Sequence, residues 1–215
     1  MKKKLSSNGL LYVIIDKQIV DSQNKNIIDL AKELTQSSAD LIQLRVKKAT
    51  DADFLDLAKR LTPLFKKVKK LLVVNDRADI AYLSQADGLH LGSRDIPIKE
   101  ARRLLGPEKI LGKTIHSVEE LKETDQKKLD YLALGPFFES KTKENNRPPL
   151  RKREIKQIVT NSKKVIFAIG GINRYNINSV LKYNLKNVVV SSAIITSNNP
   201  NKKTKEIKKC LKKVS

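Results

Sequence analysis

The chain has a single cysteine, Cys210, so no disulfide can close within it, which points to a reducing compartment, read as the cytoplasm. Tryptophan is absent and Phe and Tyr number five each, so the core must be mainly aliphatic. No apolar run approaches the roughly 20 residues of a membrane span. The run Leu10 to Ile15 ends at Asp16; it is too short for a signal-peptide core and suits a first strand. Acidic residues are scarce, 23 against 44 basic ones, a formal charge of +21. A polyanion is the obvious partner for such a charge. Yet the positive residues are mostly lysines scattered over the presumed solvent faces and both ends. There is no arginine block, no interleaved aromatic pattern and no zinc-finger or recognition-helix signature. A nucleic-acid partner and a membrane surface are therefore not expected; small-molecule substrates are, with a homo-oligomer left open.

What the chain does have is alternation. Short apolar, β-branched runs at 10–16, 41–46, 70–76, 88–92, 109–115, 131–136, 164–171 and 187–194 read as strands. Helix-period segments at 27–38, 51–68, 78–85, 97–105, 117–128, 150–162, 176–184 and 202–213 lie between and after them. Asp51 reads as an N-cap, Ser117 with Glu120 as a capping box, and Gly106 as a helix stop. The strand runs are almost continuously apolar, as strands covered on both faces should be. Eight strand–helix pairs without a composition break predict a closed α/β (β/α)₈ TIM barrel, one domain over 1–215, with basic tails at about 1–9 and 198–215. A doubly wound sheet is the competing architecture. Of only eight glycines, six (Gly88, Gly92, Gly112, Gly135, Gly170, Gly171) fall in or just after strand runs. Glycine weakens a strand unless the space is needed, so a crowded barrel end or a ligand against backbone is expected.

Barrel active sites form at the C-terminal ends of strands. There strand two ends in Gln43, Arg45 and Lys47 and strand three in Asn75 and Asp76, strand four runs on to Asp95, and strand five leads to Thr114 and His116. Two anion sites can be read from this. Gly170-Gly171 and Ser191-Ser192 end strands seven and eight, where barrels commonly hold a phosphate. Arg45, Lys47, Asp76 and Asp95 form the second group. Two carboxylates beside two cations suit Mg²⁺ bound through carboxylates and phosphate oxygens, the cations taking the remaining charge of a diphosphate. A monophosphate site facing a metal–diphosphate site implies a transfer in which one substrate loses diphosphate and the other attacks it. Asp residues capping helices at strand ends is the plainer alternative. His90, inside a strand, reads as a satisfied interior residue.

Taken in order from Gln43 to Ile194, QLRxK, NDR followed by DIA, ADGLHLGxxD, Gly112-x-Thr114-x-His116, DYxxxGPxF with SxTK, AIGGI with Asn176, and VxxSSAI resemble the thiamine-phosphate synthase family. The resemblance implies a (β/α)₈ barrel that joins a hydroxymethylpyrimidine diphosphate to a thiazole phosphate, with Mg²⁺ as cofactor. It implies that Gln43, Arg45, Lys47 and Asn75 bind the pyrimidine diphosphate, with Thr114 where the family usually has Ser. Asp76 and Asp95 would ligate Mg²⁺. Ser140 and Thr142 would contact the thiazole phosphate or its carboxylate, Lys143 the diphosphate, and Gly171, Ser191 and Ser192 the thiazole phosphate. Arg45, Lys47, Thr114 and Lys143 are then the candidate catalytic residues. Val46 replaces a usually polar residue, and Asn184 to Asn187 lacks the Gly-Ala that often precedes strand eight. A tautomerase branch resembles the chain in outline but carries a catalytic His where this chain has Pro136. The long polar loop after Pro136, PFFESKTKENNRPPL, reads as a lid.

Overall fold

The structure is a computed structural model and describes residue 5, residues 9–139 and residues 147–212. Eight parallel strands close in sequence order into a barrel: β1 (Leu11–Asp16), β2 (Leu41–Arg45), β3 (Leu71–Asn75), β4 (Gly88–Leu91), β5 (Ile110–Ile115), β6 (Tyr131–Leu134), β7 (Val165–Ala168) and β8 (Asn187–Val190). Around them run α1 (Lys17–Ser22), α2 (Ile27–Thr35), α3 (Asp51–Lys67), α4 (Ala78–Leu83), α5 (Ile98–Leu105), α6 (Val118–Glu123), α7 (Lys152–Asn161), α8 (Ile177–Leu181), α9 (Ser192–Ile195) and α10 (Pro200–Lys212). The closed barrel excludes the doubly wound sheet, since β1 pairs with both β2 and β8.

Each strand run starts and stops within a few residues of its expected place. Two short helices, α1 and α9, were not expected. The α3 cap also differs: Thr50 Oγ1 accepts the Asp53 N–H (3.1 Å), and Asp51 is the first helical residue. Ser117 caps α6 by accepting the Glu120 N–H, while the Glu120 carboxylate reaches back to the His116 N–H. No helix among the described residues is long and apolar enough to cross a membrane.

Side chains alternate across each strand and build two cores. The outer one packs β-branched and leucine side chains against the helices; the inner one fills the barrel. Three of the few aromatics fill the inside: Tyr12, Tyr131 and Phe167 meet edge to face, with centroids 5.3–5.8 Å apart. Gly112 makes room for this cluster, because a Cβ built on it would lie within the Tyr131 ring. That is the crowding anticipated from glycines inside strands.

The N-terminal end of the barrel is tied by a repeated device. Asp40, Asp87 and Asp130 directly precede β2, β4 and β6. Their carboxylates accept the backbone N–H of Leu11 (2.7 Å), Leu72 (2.9 Å) and Leu111 (2.9 Å) on the preceding odd strand. Each carboxylate has a cation at hand: Lys208 on Asp40, Lys109 near Asp87, and Arg102 on Asp130 at 2.9 Å. Those cations also take up loop and helix-end carbonyls, Lys109 that of Ala86 (2.7 Å) and Arg102 those of Gly106, Lys109 and Lys128. Asn187 does the same for Leu10 at 2.9 Å. Backbone donors at strand starts are thereby satisfied without water.

Candidate active site

At the opposite end, β3 stops at Asn75 and the chain turns through Asp76 in a left-handed conformation, φ +65°. An L-residue adopts that region at a cost of about 1–2 kcal/mol. The turn is fixed by the Asp76 N–H donating to the His90 carbonyl at 2.8 Å. After β4, the Gly92 N–H donates to Asp95 Oδ2 at 2.6 Å. The two carboxylates converge over Gly92: a Cβ built there would lie 3.4 Å from Asp95 Oδ2 and 4.0 Å from Asp76 Oδ1. Burial first, and then the neighbouring Asp76, raise the Asp95 carboxyl above its ordinary value. Two acids held where they repel one another invite a cation. Among the described residues, no three His, Cys, Asp or Glu converge. A metal would therefore take two protein carboxylates and complete its shell from ligand oxygens and water, a donor set suited to a hard divalent ion.

Lys47, from the loop after β2, pairs with Asp76. Arg45 does not join that group directly. It pairs with Asp16 at the end of β1, and Asp16 also caps α1 by accepting the Gln18 N–H at 3.1 Å. Asp16 thus holds the guanidinium at the mouth, a role the sequence reading did not give it; nothing local in LYVIID says which strand its carboxylate will face. Lys113 Nζ, also not anticipated, lies 3.4 Å from the Gly92 carbonyl.

Between β2 and β5 the mouth has a polar floor. Asn75 is 7% exposed, and its side-chain amide makes no hydrogen bond among the described residues. Gln43 Nε2 donates to the Tyr12 hydroxyl (2.7 Å), while Gln43 Oε1 has no partner there. Thr114 Oγ1 bonds His90 Nε2 at 2.7 Å. His90 is the satisfied interior residue expected, its Nδ1 meeting the Tyr131 hydroxyl at 2.9 Å. His116 sits aside, its Nδ1 donating to the Gly135 carbonyl at 2.6 Å.

Across the mouth, Gly170 and Gly171 follow β7 with φ +106° and +62°, and a Cβ on Gly170 would come 2.6 Å from that of Pro136. Only glycine lets this turn lie against residues 136–139, which are zipped on by Phe137 N–H to Ile169 O (3.0 Å) and Phe138 N–H to Gly170 O (3.1 Å). Asn176 Nδ2 holds the Gly171 carbonyl at 2.9 Å. The two serines after β8 differ. Ser191 Oγ donates to the Ile14 carbonyl at 3.0 Å, whereas Ser192 Oγ has no partner among the described residues. Ser140, Thr142 and Lys143, and with them the expected lid, lie outside the described residues.

Comparisons with known proteins identify the family of the chain. A family model described as thiamine monophosphate synthase matches residues 11–194. A thiamine-phosphate synthase of Dictyoglomus thermophilum is 38% identical over 186 residues, 86% of this chain and 83% of that one. One from Pyrococcus furiosus is 34% identical over 204 residues, covering 95% of each. The chain spans about half of a Prochlorococcus marinus relative, 54% of its length at 34% identity. Among solved structures, thiamine phosphate pyrophosphorylase from Pyrococcus furiosus superposes with a TM-score of 0.83 and 32% identity, covering 96% of both chains. The 3-hexulose-6-phosphate synthase of Salmonella typhimurium shares only the fold, with a TM-score of 0.67 at 14% identity.

Proposed function

The chain belongs to the thiamine monophosphate synthase family, and from that premise we propose that it is a thiamine-phosphate synthase using Mg²⁺. The reaction breaks the bond between the pyrimidinylmethyl carbon and a diphosphate oxygen. The thiazole nitrogen then supplies the electron pair for the new carbon–nitrogen bond, and diphosphate carries off the pair from the broken one. No proton has to move for this exchange, so no catalytic His–carboxylate pair is needed.

The observation that carries the reading is the convergence of Asp76 and Asp95 over Gly92, two carboxylates close enough to raise the Asp95 carboxyl, with Lys47 paired to Asp76. They would hold Mg²⁺, which when bound neutralises charge on the departing diphosphate. Lys47 and Arg45 add positive charge on the β2 side, Arg45 kept in place by Asp16. Gln43 Oε1, the Asn75 amide and Thr114 supply hydrogen-bonding groups for the pyrimidine. Ser192, whose hydroxyl has no partner among the described residues, and the Gly171 turn suit the thiazole phosphate; Ser191 contributes less, since its proton is given to Ile14. Lys143 is assigned to the diphosphate, and Ser140 and Thr142 to the thiazole phosphate or its carboxylate, by resemblance alone. Purified protein supplied with both phosphorylated halves should release thiamine phosphate and diphosphate in equal amounts, and only with Mg²⁺. Absence of product under those conditions overturns the proposal.

A further inference from the structure

Five side chains cross the barrel in one hydrogen-bonded line: Gln43 to Tyr12 (2.7 Å), Tyr12 to Tyr131 (3.1 Å), Tyr131 to His90 Nδ1 (2.9 Å) and His90 Nε2 to Thr114 (2.7 Å). We propose that Tyr12, Tyr131 and His90 are positioning residues that lock Gln43 and Thr114 into opposite hydrogen-bonding roles. Gln43 is then the acceptor and Thr114 the donor that the floor of the mouth offers a ligand.

The argument is one of proton counting. A hydroxyl has one proton to donate, and a neutral imidazole has one N–H and one bare nitrogen. Burial pushes both phenols above their ordinary range, so each keeps its proton. The amide nitrogen of Gln43 points at Tyr12, whose oxygen accepts. The Tyr12 proton then goes to the Tyr131 oxygen, since completely buried Tyr12 has no other acceptor among the described residues. Tyr131 in turn must donate to His90 Nδ1, which leaves the imidazole proton on Nε2, donated to Thr114. The Thr114 proton is the one hydroxyl proton not consumed in the line, and at the other end Gln43 keeps its Oε1 acceptor and the second hydrogen of Nε2. A ligand fitted to this floor has a hydrogen-bond donor towards β2 and an acceptor towards β5, as an amino-substituted nitrogen heterocycle has. Turning the Gln43 amide over would reverse every bond in the line, so the two ends cannot change role independently. Gly112 and the stacking of His90 on Tyr131, with centroids 5.6 Å apart, hold the line in register.

The identity of the ligand rests on the reaction proposed above; the direction of the line does not, and it can be read without substrate. The chain has only two histidines, and they are expected in opposite tautomers: His116 with its proton on Nδ1, because a carbonyl can only accept, and His90 with its proton on Nε2. Nitrogen-15 NMR of histidine-labelled protein at about pH 8.5, some two units above the ordinary imidazole value, distinguishes the two forms. Gln43→Glu places an acceptor where the line needs a donor, so it should move the His90 proton to Nδ1 although residue 43 does not touch His90. Adding Tyr131→Phe to that variant should uncouple the effect and restore Nε2–H. An Nδ1–H form of His90 in the unaltered protein would overturn the proposal by itself, and so would a folded Gln43→Glu variant whose His90 tautomer is unchanged. Loss of synthase activity with the tautomers as expected would instead fault the reaction reading.

Discussion

Aspartates stand at both ends of this barrel, and their partners differ. At the N-terminal end, Asp40, Asp87 and Asp130 are each saturated by a strand N–H and an adjacent cation. At the C-terminal end, Asp76 pairs with Lys47 and Asp95 takes the Gly92 N–H, yet the two carboxylates also face one another, and among the described residues the Asn75 side-chain amide, Gln43 Oε1 and Ser192 Oγ have no partner. One end expends its polar groups on the fold; the other withholds some of them from it. The contrast is what separates a residue type that stabilises from the same type that binds, and it predicts different failures when each end is altered.

The largest effect should come from the open end. Asp76→Asn or Asp95→Asn should each lower turnover by roughly 10²–10³, the scale of losing one electrostatic stabiliser, while the protein remains folded. Steady-state assays with both substrates check this. Near-normal turnover in either variant at limiting Mg²⁺ would reduce these carboxylates to turn and cap residues.

Next in size is the split between subsites. Ser192→Ala should raise KM for the thiazole phosphate, and Arg45→Ala that for the pyrimidine diphosphate, each by about ten-fold or more, given about 1.5–3 kcal/mol for a charge-assisted hydrogen bond. Ser191→Ala should instead cost stability, because its hydroxyl ties β8 to β1 through Ile14. Equal shifts for both substrates would mean one pooled site.

The closed end should show the converse. Asp130→Ala leaves the Leu111 N–H and the Arg102 guanidinium without their partner and should cost about 1–3 kcal/mol in denaturant unfolding, with KM unchanged. A lost KM without lost stability would break the comparison.

These outcomes bear on how much was visible beforehand. Parallel strands covered on both faces leave apolar runs, so the eight strands and their order could be read, whereas α9 continues the apolar run of β8 and α1 spans six residues, too few for periodicity to mark. The acidic ends of strands three and four pointed to Asp76 and Asp95, and the fold brings them together. Arg45 was expected beside them and instead meets Asp16, a pairing of residues 29 positions apart that no local pattern encodes. Three signals lay in plain view but were not connected: an Asp immediately before runs two, four and six. Gly112 likewise marked the space that Tyr131 fills, which only the register between β5 and β6 makes apparent.

The smallest expected effect is in pH dependence. The folded state raises the Asp95 carboxyl above its ordinary value, so ionising Asp95 costs the folded protein more than the unfolded chain. Stability associated with the protonated form is present at acidic pH and is lost as pH rises through the raised value. Without divalent metal, Asp95→Asn should therefore match the unaltered protein at about pH 3 and exceed it at neutral pH, by denaturant unfolding. A gap that is the same at both pH values would mean that Asp95 is not destabilised by its surroundings.

The central claim, that the open end reserves its carboxylates for a metal-bound diphosphate, is tested most directly by the thermal midpoint measured with diphosphate, in the presence and absence of Mg²⁺. A ligand that binds only the folded state raises that midpoint. The account predicts a rise of several degrees that needs both components, that persists in Asp130→Ala and that disappears in Asp76→Asn. An equal rise in Asp76→Asn, or the same rise from diphosphate without Mg²⁺, would contradict it.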